Sequence, residues 1–343
     1  DGMCSCDISF VRYERSRIIY STTNSIHPRP HKSTRKFIPI FHVSAIIREV
    51  EELDKWNTNM ESATFKVGEL TSIIGDNTAD DDHCAGYNGI WHLTHESSQR
   101  NLFVPAYAGW NLEHIFDGYT NGSSKIFFEP RHAPMTFQRL SDIEAELYQP
   151  PTPTFFLESW TRFKFVEPHY IDVNFRFLAH QHVFEGNYIG LFWASYINAP
   201  LDKSIYFQDN NLHWAQLCTQ RHNDESTVRH VDDDRRLTFN PDYGDALFRN
   251  FSPMRYQLPL FYGLFDDHIW IVMFDRTEGI RITHSPSGGG KNNQYQTTNP
   301  AWDFQFIIPD YQVNKEYGFN ARMVYRPSCS RKIILNEYQH WIN

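Results

Sequence analysis

Apolar and polar residues alternate through much of the chain beyond residue 90. The clearest run is Ile171, Val173, Phe175 and Phe177, interleaved with Asp172, Asn174 and Arg176. A period of two marks a strand with one buried face. The same reading predicts strands over 124–129, 134–140, 143–148, 155–166, 188–197, 203–208, 212–219, 256–265, 268–275, 302–308 and 316–325. Ser141-Asp142 and Asp266-Asp267 supply turns between neighbouring runs. Runs this closely spaced imply antiparallel pairing and not strand–helix–strand units. Many strands in one chain must close into a sandwich or barrel to hide their edges.

Helical periodicity is confined to the two ends. Val43, Ile46, Ile47, Val50 and Leu53 share one face and predict a short N-terminal helix over 43–56. Ile334, Tyr338 and Trp341 do the same for a C-terminal helix over 331–341. The expected fold is therefore mostly β: a large antiparallel β-sandwich, with a jelly roll as the alternative topology, flanked by these helices. Residues 43–343 read as one domain. Residues 1–42 read as an extended basic arm, with Arg12, Arg15, Arg17, Arg29, Lys32, Arg35 and Lys36 and a Pro-broken His27-Pro28-Arg29-Pro30-His31. Such an arm would wrap the domain or join subunits into a homo-oligomer.

Composition changes this picture in three ways. Aromatic residues make up 16% of the chain. Most would fill a wide β-core, but exposed rings also pack on the apolar face of a sugar. A net charge of −9 argues against nucleic acid as partner. No apolar run approaches the ~18 residues of a membrane span, so a soluble chain is expected, secreted or periplasmic if a signal preceded Asp1. The five cysteines, Cys4, Cys6, Cys84, Cys218 and Cys329, are odd in number and widely spaced, which fits neither a disulfide framework nor a zinc finger. Cys218 falls inside a strand pattern and reads as a small core residue.

The chemistry-bearing residues fall in clusters. The segment from Gln220 to His230 holds His222, Asp224, Glu225, His230, Arg221 and Arg229 directly after a strand pattern. Loops at strand ends present chemistry on a rigid scaffold. His222, Glu225 and His230 suit acid–base catalysis or, as the other option, a metal. His180-Gln181-His182 with Glu185 is a second set; i and i+2 share a strand face, so a divalent metal is an option there. Whether any cofactor is used stays open. His284 opens the Gly288-Gly289-Gly290 loop and is a further catalytic candidate. No Ser or Thr follows Lys291, which excludes a P-loop, and no Gly-x-Ser-x-Gly elbow occurs.

Trp110, His114, Arg131, Trp160, Arg162, Arg221 and Arg276 are candidates for substrate contact. Trp160 and Arg162 share one strand face, a ring beside a guanidinium. Glu113 and His114 are adjacent, so on a regular strand they face opposite ways and only one serves a site.

The stretch from Phe103-Val104-Pro105 to Asp117-Gly118, the strand series through Ile197, and Ala301-Trp302-Asp303-Phe304 onward to Tyr325 resemble the galactose-mutarotase-like supersandwich. That resemblance implies stacked antiparallel sheets and a carbohydrate ligand. It assigns no residue. Together with the aromatics and the His/carboxylate clusters, it gives the functional expectation. This is a carbohydrate-active enzyme on a glycoside or polysaccharide, as a glycoside hydrolase or polysaccharide lyase. The alternative is a non-catalytic glycan-binding or assembly protein.

Overall fold

The computed structural model describes residues 60–120 and 122–343. The expected basic arm and the helix over 43–56 lie outside these residues, as do Cys4 and Cys6. The described part is mostly β. β1 (Ser62–Val67), β2 (Leu70–Gly75) and β3 (Gly89–His95) form a three-stranded antiparallel sheet. There follow β4 (Asn111–Phe116), short helices α1 (Ser124–Phe127) and α2 (Glu129–His132), β5 (Thr136–Arg139), β6 (Glu144–Gln149), β7 (Leu157–Val166), β8 (Tyr170–Ala179) and β9 (Tyr188–Ala194). The chain continues through β10 (Ile205–Gln208), β11 (Trp214–Leu217), β12 (Thr227–His230), β13 (Phe251–Tyr256), β14 (Leu260–Phe265), β15 (His268–Phe274) and β16 (Ile280–Ser285). It ends with a two-stranded hairpin of β17 (Lys291–Asn292) and β18 (Thr297–Thr298), then β19 (Ala301–Pro309), β20 (Glu316–Pro327) and helix α3 (Arg331–Ile342).

Two large sheets carry the core. One has nine strands in the order β11-β10-β14-β15-β20-β8-β7-β6-β5, and the other six in the order β13-β12-β16-β19-β9-β4. Pairing within them is antiparallel except between β12 and β13. Alternation decides which side chains meet: Val173, Phe175 and Phe177 of β8 and Phe319 of β20 point inward, while Asp172, Asn174 and Arg176 do not. From the six-stranded sheet, Trp193, Phe304 and Phe306 enter the same core. Trp193 stacks on Phe304 at 4.8 Å, and Phe175 meets Trp193 edge-on at 4.7 Å. These rings fix the spacing of the sheets by close packing. Helix α3 covers the outer side of β14, β15 and β20 through Ile334.

The other face of the six-stranded sheet is also covered. Phe192, Ala194 and Ala301 pack there against Tyr243 and Phe248, which sit in short 3-10 turns at Pro241–Tyr243 and Leu247–Arg249. The candidate site lies under this cover.

Three local expectations differ from the structure. The stretch 124–129 is not a strand; it ends in α1 and leads into α2, where Pro130 occupies the first turn. Proline's fixed φ and missing N–H suit that position, and a short apolar run such as Ile126-Phe127-Phe128 has no period to distinguish strand from helix. Strands β1, β2, β3, β4, β12, β13 and β16 were not among the strands expected from sequence, although β1 and β2 do alternate. Cys218 is exposed, one residue beyond the end of β11, and not a core residue.

Candidate active site

The site is built from β4 outward. All six residues of β4 are buried. Its pairing with β9 shifts register between Leu112 and His114. That bulge inserts a residue and re-aims its neighbours. As a result, Glu113 and His114 both line one cavity of about 280 Å³. The sequence expectation that only one of them serves a site is corrected here. Phe127, Phe128, Phe192, Phe248, Tyr87 and Tyr196 supply the aromatic walls, and Asp303, Asp245 and His222 complete the polar lining.

Glu113 is held on three sides. Arg131 Nη1 donates to Oε1 at 3.2 Å, the Tyr196 hydroxyl donates to the same oxygen, and His114 Nε2 stands 3.4 Å from Oε2. Burial pushes this carboxyl up. The adjacent His114 and Arg131 and the Tyr196 hydroxyl outweigh it, so Glu113 titrates below the usual carboxylate range. His114 is oriented by its Nδ1–H, which donates to the Phe127 carbonyl at 2.7 Å. Arg131 also donates from Nε to the Gly86 carbonyl at 3.0 Å and lies 3.9 Å over the Tyr87 ring. Its charge is therefore already engaged.

Asp303 comes from β19, on the same face as Ala301. The neighbouring residues Trp302 and Phe304 point to the core. Its Oδ1 accepts the Ser195 N–H at 3.0 Å. Full burial pushes its carboxyl well above the usual range, and the Glu113 charge adds to this. Burial thus pushes the Asp303 carboxyl up while its partners hold Glu113 down. Next to Ala301 in the sheet register is Ser285 of β16, whose hydroxyl lies 2.8 Å from His222 Nδ1. Desolvation lowers the His222 pKa against the pull of Glu113 and Asp245, although the residue as a whole is exposed. The cavity thereby holds a carboxyl pushed up, an anchored carboxyl held down and an imidazole of lowered pKa.

Of the residues expected from sequence, His114, Arg131 and His222 meet in this cavity. Glu225 and Arg221 are exposed on the loop beside it. His230 and Arg276 line a different, larger cavity of about 790 Å³, with Asp233 and Arg281. His230 binds the Gln257 carbonyl there at 3.2 Å, and Arg276 the Gly318 carbonyl at 3.0 Å. His284 is fully buried, between Thr219 Oγ1 and the Lys203 carbonyl, both at 2.8 Å. Burial lowers its pKa to about 4; it is a structural histidine with both nitrogens engaged. Trp110 is 1% exposed and packs on Phe304 at 4.7 Å, a core ring and no sugar platform. Trp160 and Arg162 lie on the outer face of the nine-stranded sheet, engaged by Arg176 and Glu144 respectively.

His180, His182 and Glu185 do not converge. His180 pairs with Glu158 at 2.7 Å, His182 with the Tyr311 hydroxyl at 3.0 Å, and Glu185 offers its backbone N–H to Asp117. Sequence reasoning did not single out Tyr87, Tyr196 or Asp303 for the site. Asp303 carried a readable signal: a lone acid between Trp302 and Phe304 in a strongly apolar strand.

No protein-family profile matches the chain, and no curated protein matches it. Solved structures do. One is an aldose 1-epimerase candidate from Escherichia coli K12, with 8% identity and TM-score 0.43 over 78% of this chain and 99% of that one. A GalM/aldose epimerase homologue from C. elegans gives 8% and 0.41, over 78% and 100%. The heparan sulfate lyase HepC from Pedobacter heparinus gives 9% and 0.37, over 84% of this chain and 42% of that one, so this chain spans less than half of the lyase.

Proposed function

We propose that the aromatic cavity is the active site of a carbohydrate-active enzyme that moves protons on a neutral sugar. One observation carries the reading: two buried carboxyl groups pushed in opposite directions, Asp303 up and Glu113 down, share a cavity with an imidazole of lowered pKa. Groups whose environments push their pKa values apart take the acid and base roles. Asp303 donates a proton to a ring or glycosidic oxygen. His222, oriented by Ser285, accepts one from a hydroxyl or from water. Glu113 stays ionised and accepts hydrogen bonds from sugar hydroxyls or stabilises positive charge developing at the anomeric carbon.

The cavity volume is near the ~300 Å³ lower bound of small-ligand pockets, which suits one sugar ring in the site. Among the described lining residues Arg131 is the only Arg or Lys, and Glu113 already engages it. No cation is left there for a uronate carboxylate, so this geometry favours a neutral sugar over elimination from a uronic acid.

The test is a panel of neutral aldoses and glycosides, followed by steady-state kinetics on the substrate found. Asp303→Asn and His222→Ala should each lower kcat by about 10²–10⁴-fold. The wild-type rate should rise as pH passes the depressed His222 value and fall as it passes the raised Asp303 value. Asp303→Asn should remove the alkaline limb. Saturable sugar binding without product would establish the non-catalytic alternative, and an undiminished kcat in both variants would refute the assignment.

A further inference from the structure

A second cluster lies at the far end of β3, about 20 Å from the Tyr87 end by strand geometry. Three chain segments meet there. The β1–β2 turn is pinned to the β7–β8 turn by Glu69 N–H donating to the Pro168 carbonyl at 2.7 Å. Gly68 allows this approach, since a Cβ there would stand 2.3 Å from that carbonyl oxygen. Glu96, just past β3, donates its N–H to the Glu69 carbonyl, also at 2.7 Å. This backbone clamp brings three ligand-type atoms together. Glu69 Oε2 is 2.9 Å from His95 Nε2 and 2.8 Å from His169 Nδ1, and all three lie within 4.8 Å of one another. Both imidazoles are buried, while the Glu69 side chain is 33% exposed and leaves a way in from solvent.

The surroundings of His95 extend the pattern. Its Nδ1 is 2.8 Å from Ser97 Oγ, which is 2.9 Å from His268 Nε2, whose Nδ1 is 2.6 Å from Asp267 Oδ1. This relay holds the His95 ring in place through the nitrogen that does not face Glu69, the support that ligating imidazoles ordinarily have. His169 Nε2 is buried without a partner, so ligation through Nδ1 places the ring's one proton at an unpaired position, a cost that metal binding has to exceed.

We propose that Glu69, His95 and His169 bind one divalent transition-metal ion of the zinc type, with a fourth position open to water. Two imidazoles and a carboxylate are the donor set zinc accepts. Zinc bonds of about 2.0–2.1 Å place tetrahedral ligand atoms about 3.3 Å apart, so the two contacts to Glu69 would each lengthen by a few tenths of an ångström. The ion ties together the β1–β2 turn, the end of β3 and the β7–β8 turn. Its role is to stabilise the fold, and it is separate from the acid–base cavity.

The test uses the full chain, stripped with chelator, dialysed and titrated with zinc, with cobalt as a spectroscopic probe. The expected result is one zinc per chain, a raised Tm, and the visible absorption of four-coordinate cobalt. Glu69→Gln, which keeps size and hydrogen bonding, should weaken binding at least tenfold. His95→Ala and His169→Ala should abolish it, and His180→Ala should leave it intact. Wild-type protein that takes up no zinc overturns the proposal whatever the variants do. So does uptake unchanged in Glu69→Gln and His169→Ala.

Discussion

Arg131→Met isolates the buried ion pair on which the acid–base cavity depends. The guanidinium and the Glu113 carboxylate are 15% and 9% exposed, 3.2 Å apart. Removing one member of a buried pair costs about 3–5 kcal/mol, mainly because the other charge is left without compensation. Here Glu113 keeps the Tyr196 hydroxyl and His114, which places the expected loss near the lower figure, about 3 kcal/mol at pH 7. Glu113→Gln combined with Arg131→Met removes both charges and should cost only about 1–2 kcal/mol, the loss of hydrogen bonds to a neutral amide. Urea unfolding of wild type, both single variants and the double variant closes the cycle. The pH dependence has a definite sign. In the wild type the folded pKa of Glu113 lies below its ordinary value of 4.5. Its stabilising contribution is therefore complete above 4.5 and lost as pH falls through the folded value. Without Arg131 the folded value rises, so the variant's deficit is largest at neutral pH and shrinks as pH falls from the variant's folded value through the depressed wild-type one. A deficit under about 1 kcal/mol at pH 7, or one that stays constant as pH falls below the wild-type folded value, would refute this account.

Two further predictions follow from the placements above. Asp303 has a folded pKa raised above its ordinary 3.8, so its stability contribution is complete below 3.8 and lost as pH rises through the folded value. Asp303→Asn should flatten that loss, leaving the variant at least as stable as wild type at pH 8 in urea titrations; a variant that loses stability with rising pH just as wild type does would contradict the buried-acid assignment. Trp160→Ala together with Arg162→Ala, on the outer face of the nine-stranded sheet, should leave kcat/KM within about twofold of wild type, because surface changes away from a site have little effect. A large rise in KM would mean that this face binds substrate after all.

The large strands were legible because alternation and burial are one phenomenon in a two-layer β structure. Ile171 to Phe177 reads as a strand because every second residue must enter the core, and β8 does this over ten residues. Where that coupling fails, the reading failed. β16 and β4 are buried on both faces, so polar residues such as Thr283, Ser285 and His114 sit inside and the period of two disappears. The short helices α1 and α2 are four residues each, too brief to show any period. Cys218 was placed in the core by continuing a strand pattern one residue beyond where β11 stops.

The site was less legible for a related reason. Its residues are close in space only because strands distant in sequence are neighbours in the sheet: Ser285 sits beside Ala301, and Phe192 pairs with His114 and Gln305. Chemistry-rich loops such as 220–230 attract attention because their polar residues are contiguous, yet only His222 and Asn223 of that segment reach the cavity. Asp303 and Glu113 are isolated acids in apolar strands, and isolation is the informative property. A carboxyl buried without need is costly, so a strand that keeps one either pairs it, as with Glu113 and Arg131, or pushes its pKa up, as with Asp303. The bulge at Glu113 adds what no alternation rule supplies. By breaking the period between Leu112 and His114 it brings two adjacent ionisable side chains into one cavity. Deleting the register shift, by removing one residue of β4, should send either Glu113 or His114 out of the cavity and abolish turnover even in a chain that folds.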